Sequence, residues 1–257
     1  MLKQNCLIEL GDNYLIKHDF YPRLLNWSLR NDEYVLNLLK ESQFCLSSRK
    51  VYIVIEGEKI KIREITLPKL RSSYLYKLII DELSNSYNNA DKIYFNYSIL
   101  KDNGNNLDLA IFSSNEGKIK KVEKYILKNS SIEAVYLIQF CFLGYFNEAI
   151  THRNFIFVFI YKDKLYLLFC LNKKLIFNDV IPWNDEKKLS EAIFEFMESC
   201  RINNGIVTKI IYAANIGFEV NCDEYVEGCY ISNLGLVSEK ELIKYIRTSK
   251  CKRTNRR

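Results

Sequence analysis

Short runs in which apolar and polar residues alternate recur along the chain, separated by turn residues. Residues 5–10 read as a strand, with Gly11-Asp12-Asn13 as the turn that follows. Residues 32–41 carry Val35, Leu36, Leu38 and Leu39 at helical spacing and predict a helix. Residues 51–56 and 60–66 alternate on either side of Gly57-Glu58-Lys59, which predicts a β-hairpin that Pro68 ends. Leu75, Leu78, Ile79 and Leu83 predict a helix over 71–84. Strands are predicted at 92–100 and 107–113, around a turn at Asn103-Gly104-Asn105-Asn106. A helix with a Lys-rich outer face follows at 117–129, then a strand at 132–137 that runs into a helix ending near Ala149.

The second half opens with three close strands, 154–161, 164–170 and 174–181. The turns Lys162-Asp163 and Asn172-Lys173 are so short that these strands must form an antiparallel meander. Asn184-Asp185 caps a helix at 186–203, with Ala192, Ile193 and Phe196 on its inner face. A strand at 207–213 and a helix at 238–247, with Ser238 as its N-cap, complete the pattern. Strands and helices interleave in two halves that each hold a sheet, which is a mixed α/β arrangement. The two halves meet at Ile150-Thr151-His152-Arg153 without a linker.

Composition narrows the class. Of the 257 residues, 48% are apolar and 26% charged, which excludes disorder for the body of the chain. The longest apolar run, Ala134 to Phe146, is shorter than the ~20 residues a spanning helix needs, so it reads as buried core. The eight cysteines include no pair at the spacing of a zinc or thioredoxin motif. Cys141 and Cys170 lie in apolar runs and read as core thiols, and scattered free cysteines fit a reducing, cytoplasmic compartment. The net charge is +6, and its one concentration is the tail at 250–257, with Lys250, Lys252, Arg253, Arg256 and Arg257 and no acid.

Three features together carry a family resemblance. One is Arg63-Glu64-Ile65-Thr66-Leu67-Pro68 followed by the helix at 71–84. The second is the strand ending Asn96-Tyr97-Ser98-Ile99-Leu100, which passes through an Asn-Gly turn to the strand at 107–113 and a helix. The third is the meander over 154–182 followed by a helix. This order resembles the PilM family, the actin-like cytoplasmic proteins of type IV pilus assembly. It also resembles the cytoplasmic part of the L protein of type II secretion. The resemblance covers roughly residues 5–215. It implies an actin-like, ribonuclease H-like two-lobed α/β fold with mixed sheets and an inserted α/β subdomain. Residues 1–150 would form the first lobe, with the insertion and its flanks at about 51–135. Residues 151–249 would form the second lobe, and 250–257 a basic tail.

The resemblance also points to where a nucleotide would sit. Actin-like ATPases hold phosphates with two Asp-containing hairpin loops. Glycine lets backbone amides approach the phosphate, and Asp holds the metal or its waters. The first loop corresponds to Ile8-Glu9-Leu10-Gly11-Asp12-Asn13-Tyr14. Gly11 is kept, but Glu9 stands where Asp is expected. The candidate cofactor-binding residues are therefore Glu9, Gly11, Asp12 and Asn13, in a degenerate loop. The second loop corresponds to Phe159-Ile160-Tyr161-Lys162-Asp163-Lys164 and has no glycine. The adenosine-side loop corresponds to Ala213-Ala214-Asn215-Ile216-Gly217, with a single glycine. Loss of ATP hydrolysis and of ATP binding is expected, with no catalytic residue, no metal and no cofactor.

Other chemistry is not indicated. His18 and His152 read as isolated histidines. Asp81-Glu82 and Asp185-Glu186 are helix neighbours pointing about 100° apart, so they do not form an acid–base pair. The aromatic residues of 155–169 read as sheet core rather than as a platform for nucleic-acid bases.

The resemblance implies a cytoplasmic scaffold at the inner face of the membrane, within the pilus assembly platform. Its partners would be the cytoplasmic N-terminal tail of a PilN-like membrane protein and the pilus motor ATPase. The basic tail would add weak contact with anionic lipid, and no nucleic acid is expected. The alternatives are an active ATPase using Glu9, Gly11 and Asp163, and a nucleic-acid-binding protein on the same scaffold.

Overall fold

The first sheet is built around β1 (Gln4–Leu10), whose Cys6, Leu7, Ile8 and Leu10 are all buried. The computed structural model describes residues 4–21, 28–35, 46, 49–86, 94–114, 117–123, 125, 130–204, 208–218, 220 and 228–248. β2 (Tyr14–Tyr21) pairs antiparallel with β1, and β3 (Ser28–Val35) antiparallel with β2. On the other side, β4 (Arg49–Ile55) runs parallel to β1, and β8 (Ser131–Leu137) parallel to β4. The sheet order is β3-β2-β1-β4-β8.

Two expectations change here. Residues 32–35 belong to β3, not to a helix, in register from Tyr14 opposite Val35 to Tyr21 opposite Ser28. The apolar positions Leu36, Leu38 and Leu39 that suggested the helix lie outside the described residues. The run 51–56 is not one arm of a hairpin with 60–66. β4 pairs with β1 and β8, whereas β5 (Lys61–Pro68) pairs antiparallel with β7 (Asn106–Ser114) in a different sheet. Gly57, at φ 74°, turns the chain between the two sheets. Strand pairing over long sequence separations overrode the local turn signal.

β2 also escapes the periodicity, because Lys17, His18 and Asp19 are consecutive, polar and buried. Their partners explain why burial is tolerated. Lys17 Nζ lies 2.7 Å from Asp19 Oδ2, Arg49 also pairs with Asp19, and His18 pairs with Glu9.

The insertion consists of β5, α1 (Ser72–Ser86), β6 (Tyr94–Asp102) and β7, in the antiparallel order β5-β7-β6. Leu75, Ile79 and Leu83 of α1 cover Leu67, Leu107, Leu109 and Ile111 of the sheet. Of the stretch 51–135, β4 and β8 are thus flanks belonging to the first sheet, and the insertion proper lies between them. The chain then continues through α2 (Gly117–Glu123), β8 and α3 (Ile138–Tyr145).

The second sheet repeats the plan of the first. β9 (Phe155–Tyr161), β10 (Lys164–Leu171) and β11 (Lys174–Pro182) form the expected meander. β12 (Ile210–Ala214) and β13 (Tyr230–Asn233) are added in parallel, giving the order β11-β10-β9-β12-β13. β9 and β10 are buried almost throughout, because both of their faces are covered. On one face pack Leu189, Ile193, Phe196, Met197 and Cys200 of α4 (Leu189–Asn204), at helical spacing. On the other, Phe142 of α3 stacks on Phe159 at 4.1 Å, and Phe159 stacks on Tyr166 at 4.6 Å. Asp185 caps the single 3-10 turn ahead of α4, where its side chain accepts from the Lys187 amide. The last helix is α5 (Glu239–Thr248).

By packing, the chain divides into two compact units. One comprises residues 1–58 and 115–141, and the other residues 59–114 and 142–257. The insertion therefore groups with the second sheet. Asn178 of β11 is bonded to Ile60, the residue just before β5, and Lys174 of β11 to the β6 carbonyls of Ile99 and Leu100. The basic tail at 250–257 lies outside the described residues.

Candidate nucleotide site

The first loop is the tight turn between β1 and β2. Leu10 pairs with Leu15, and the Gly11 amide donates to the Tyr14 carbonyl at 3.0 Å. Gly11 is required for space. A Cβ on it would fall closer than 3.0 Å to three carbons of the Tyr14 ring. The bare Cα that could admit a phosphate to the backbone is thus already covered by an aromatic ring of the same turn. Asp12 and Asn13 are exposed at the tip.

Glu9 is 2% exposed, and its Oε1 lies 3.1 Å from Nε2 of the fully buried His18. The β1–β2 register explains the meeting: Leu7 is opposite His18 and Glu9 opposite Ile16, so Glu9 and His18 are diagonal neighbours on one sheet face. His18 is therefore not the isolated histidine expected from sequence. The other face holds the Lys17–Asp19–Arg49 cluster beside Cys6, which sits opposite Asp19. Burial, and after it the Asp19 charge, pushes the Cys6 thiol up to about 12.

Residues without a sequence signal complete this corner of the first unit. Lys118, placed by its pattern on a solvated helix face, has a side chain only 12% exposed. Its Nζ lies 2.8 Å from Asp12 Oδ1, 2.6 Å from the Glu56 carbonyl and 3.7 Å from Glu58 Oε1. The Glu56 amide donates to the Leu10 carbonyl at 3.0 Å, and Gln139 Nε2 donates to the Glu58 carbonyl at 2.6 Å. The stretch after β4 is thereby tied to the end of β1 and to the start of α3. Sequence spacing could not bring together residues 12, 56, 58, 118 and 139; parallel pairing of β4 with β1 and β8 does so.

The second and third loops belong to the other compact unit. In the β9–β10 turn, Lys162 adopts φ 54° without being glycine, and its Nζ lies 5.4 Å from the centre of the Tyr161 ring. Asp163 is exposed, and its carbonyl accepts from the Trp183 amide at 2.8 Å. After β12, Asn215 takes the left-handed conformation at φ 54°, one that asparagine tolerates better than most residues. Its side chain bonds the Val237 backbone twice, accepting from the amide at 2.6 Å and donating to the carbonyl at 3.3 Å. An amide side chain thus anchors this loop, and a Cβ on Gly217 would meet nothing within 4 Å.

His152 is not isolated either. Its Nδ1 lies 2.7 Å from the Tyr212 hydroxyl, which also accepts from the Thr151 and His152 amides at 3.2 and 3.3 Å. Burial alone would push the Tyr212 hydroxyl up. The bonds from Thr151 and His152, with the Lys173 charge, instead hold it below its ordinary value.

Nucleotide and metal are the groups an actin-like fold implies, and the first loop does not fit them. The Tyr14 ring lies over Gly11, Glu9 is engaged with His18, and a lysine ammonium lies among the oxygens of Asp12, Glu56 and Glu58. None of the described helices is long and apolar enough to cross a membrane.

No protein-family model matches the sequence, and no curated protein matches it either. Solved structures do. A chain of the PilM-PilN type IV pilus biogenesis complex is similar at 10% identity over 95% of this chain and 95% of that one, with a TM-score of 0.58. The cytoplasmic domain of EpsL, an inner membrane component of the type II secretion system of Vibrio cholerae, is similar at 11% identity over 96% of each chain, with a TM-score of 0.52. Two sheets of one strand order, an insertion within the first half and these full-length likenesses together establish the two-lobed actin-like fold for this chain.

Proposed function

We propose that this chain is a non-catalytic cytoplasmic scaffold of a type IV pilus or related secretion assembly platform at the inner membrane. It would bind the cytoplasmic tail of a PilN-like membrane partner and stand between that partner and the motor ATPase. The basic residues of 250–257 would add weak attraction to anionic lipid. The observation that supports the non-catalytic reading is the Tyr14 ring over Gly11, which takes up the space that the missing side chain leaves beside the first loop's backbone. The full-length likeness to a chain of the PilM-PilN complex supports the choice of platform.

Calorimetric titration of the folded protein with Mg·ATP tests this reading. No heat and no shift in Tm are expected. A micromolar dissociation constant would overturn the pseudo-ATPase reading and favour an ATPase working through Glu9, Gly11 and Asp163.

A further inference from the structure

The inserted sheet ends in β6. Among the described residues, β6 has a strand on one side only, β7. Its stretch 94–100 carries no charge, no proline and no glycine, and Tyr94, Phe95, Tyr97 and Ile99 are strong strand formers. An uncharged, strand-forming run of this length on a sheet edge is the pattern that recruits further strands. The flank of the edge is apolar as well. Tyr76 of α1 stacks on Phe95 at 4.9 Å, and Tyr76, Ile80 and Ile99 are all exposed.

Side chains nevertheless occupy the backbone groups of this edge. The Tyr97 amide donates at 2.8 Å to the side-chain oxygen of Asn96, the residue before it. Ile99 lies two residues on, where a strand presents the same side again. Its carbonyl accepts from Lys174 Nζ, which reaches over from β11 and also donates to the Leu100 carbonyl at 3.2 Å. An ammonium has three protons, so one lysine can serve both carbonyls. Leu100 is itself the extra residue of a bulge, since Ile99 stands opposite Leu109 and Lys101 opposite Asp108. A bulge twists an edge away from regular pairing.

We infer that Asn96 and Lys174 guard β6 against a second copy of this chain, and that without them two copies join antiparallel, β6 to β6. Two features make a second copy the occupant that fits. The run is uncharged, so identical strands meet without like charges opposite each other. A two-fold axis through the pair also brings Tyr76, Ile80 and Ile99 from both copies to one seam and closes the assembly at two. The inference goes beyond the scaffold reading and does not depend on it.

The test is light scattering on the full chain across an about hundredfold dilution series. The wild type should keep one mass throughout. The Asn96→Val, Lys174→Met variant, in which methionine keeps the apolar stem of the lysine, should move with concentration towards twice 30.4 kDa. Ile99→Lys in that background puts a charge back on the edge and should return the mass to the wild-type value. Hydrogen exchange at the Tyr97 amide of the double variant should slow as concentration rises, because strand pairing gives that amide a partner; a merely sticky patch would not. A folded double variant with the mass of the wild type at every concentration would overturn the inference. So would growth past the dimer, or a mass increment that is not a second copy. If the double variant does not fold, Asn96→Val alone, a change at an exposed position, is measured in the same way, and an unchanged mass there has the same meaning.

Discussion

The side-chain amide of Asn178 makes both hydrogen bonds of the Ile60 backbone. Its Nδ2 donates to the Ile60 carbonyl at 2.8 Å, and its Oδ1 accepts from the Ile60 amide at 2.9 Å. Asn178 is 1% exposed and Ile60 2%, so neither backbone group can turn to water instead. One side chain on β11 thus imitates a strand partner at the entrance to the insertion, and Lys174, four residues earlier on the same strand, does related work on the β6 carbonyls.

Asn178→Leu should therefore be costly despite its similar volume. It leaves a buried amide and a buried carbonyl unpaired, at about 1–3 kcal/mol each. Urea unfolding should show a loss of roughly 2–6 kcal/mol on those magnitudes. A change below ~0.5 kcal/mol would mean that water or a shifted backbone replaces the amide.

Gly11 and Tyr14 form a coupled pair. Gly11→Ala drives a Cβ into the Tyr14 ring and should destabilise by about 1–3 kcal/mol. Tyr14→Ala removes the obstacle, so the double variant should be more stable than the two single effects predict. A double-mutant cycle measures this, and a coupling energy near zero would show that the ring swings aside freely.

The start of α5 supplies a pH dependence. Ser238 Oγ and its amide both donate to Glu241 Oε2, at 2.7 and 2.9 Å, and the Glu241 amide donates back to Ser238 Oγ at 3.3 Å. This is the reciprocal cap that the Ser-x-x-Glu spacing encodes. The Ser238 bonds hold the Glu241 carboxyl below its ordinary value of 4.5. A carboxyl lowered on folding contributes stability that is full above that ordinary value and is lost as pH falls through it towards the lowered one. Glu241→Gln should therefore flatten the acid side of the stability profile. Ser238→Ala should cost about 1 kcal/mol at neutral pH.

Thiol reactivity should separate the folded from the unfolded chain. Burial pushes the Cys200 thiol up to about 12 and raises Cys170 as well, as it does Cys6. A disulfide reagent at mildly alkaline pH should leave these three untouched in the native protein and modify all of them in denaturant. Mass spectrometry of the labelled peptides reads this directly. Rapid native labelling at Cys170 would contradict the packing of β10.

The candidate loop was legible where chemistry is local. Gly11-Asp12-Asn13 is a turn because those residues favour turns, and the structure puts it there. What occupies that corner was not legible. Tyr14 lies within the same short stretch, but nothing in its spacing says that its ring folds back over Gly11. Lys118 is 106 residues away from Asp12 in sequence (118 − 12) and looks like any lysine on a solvated helix face.

Periodicity alone determined the meander of β9 to β11, the helices α1, α4 and α5, and the interleaving that makes the chain α/β. In these elements, burial on one or both faces leaves a regular apolar record. Only the tertiary structure decided the rest. It decided that residues 51–55 pair with β1 and β8 instead of with 61–66. It decided that β2 can bury Lys17, His18 and Asp19, and that β3 is a strand. The physical reason is the same each time. Buried charges read as surface until their partners are known, and those partners arrive by strand pairing between residues far apart in the chain.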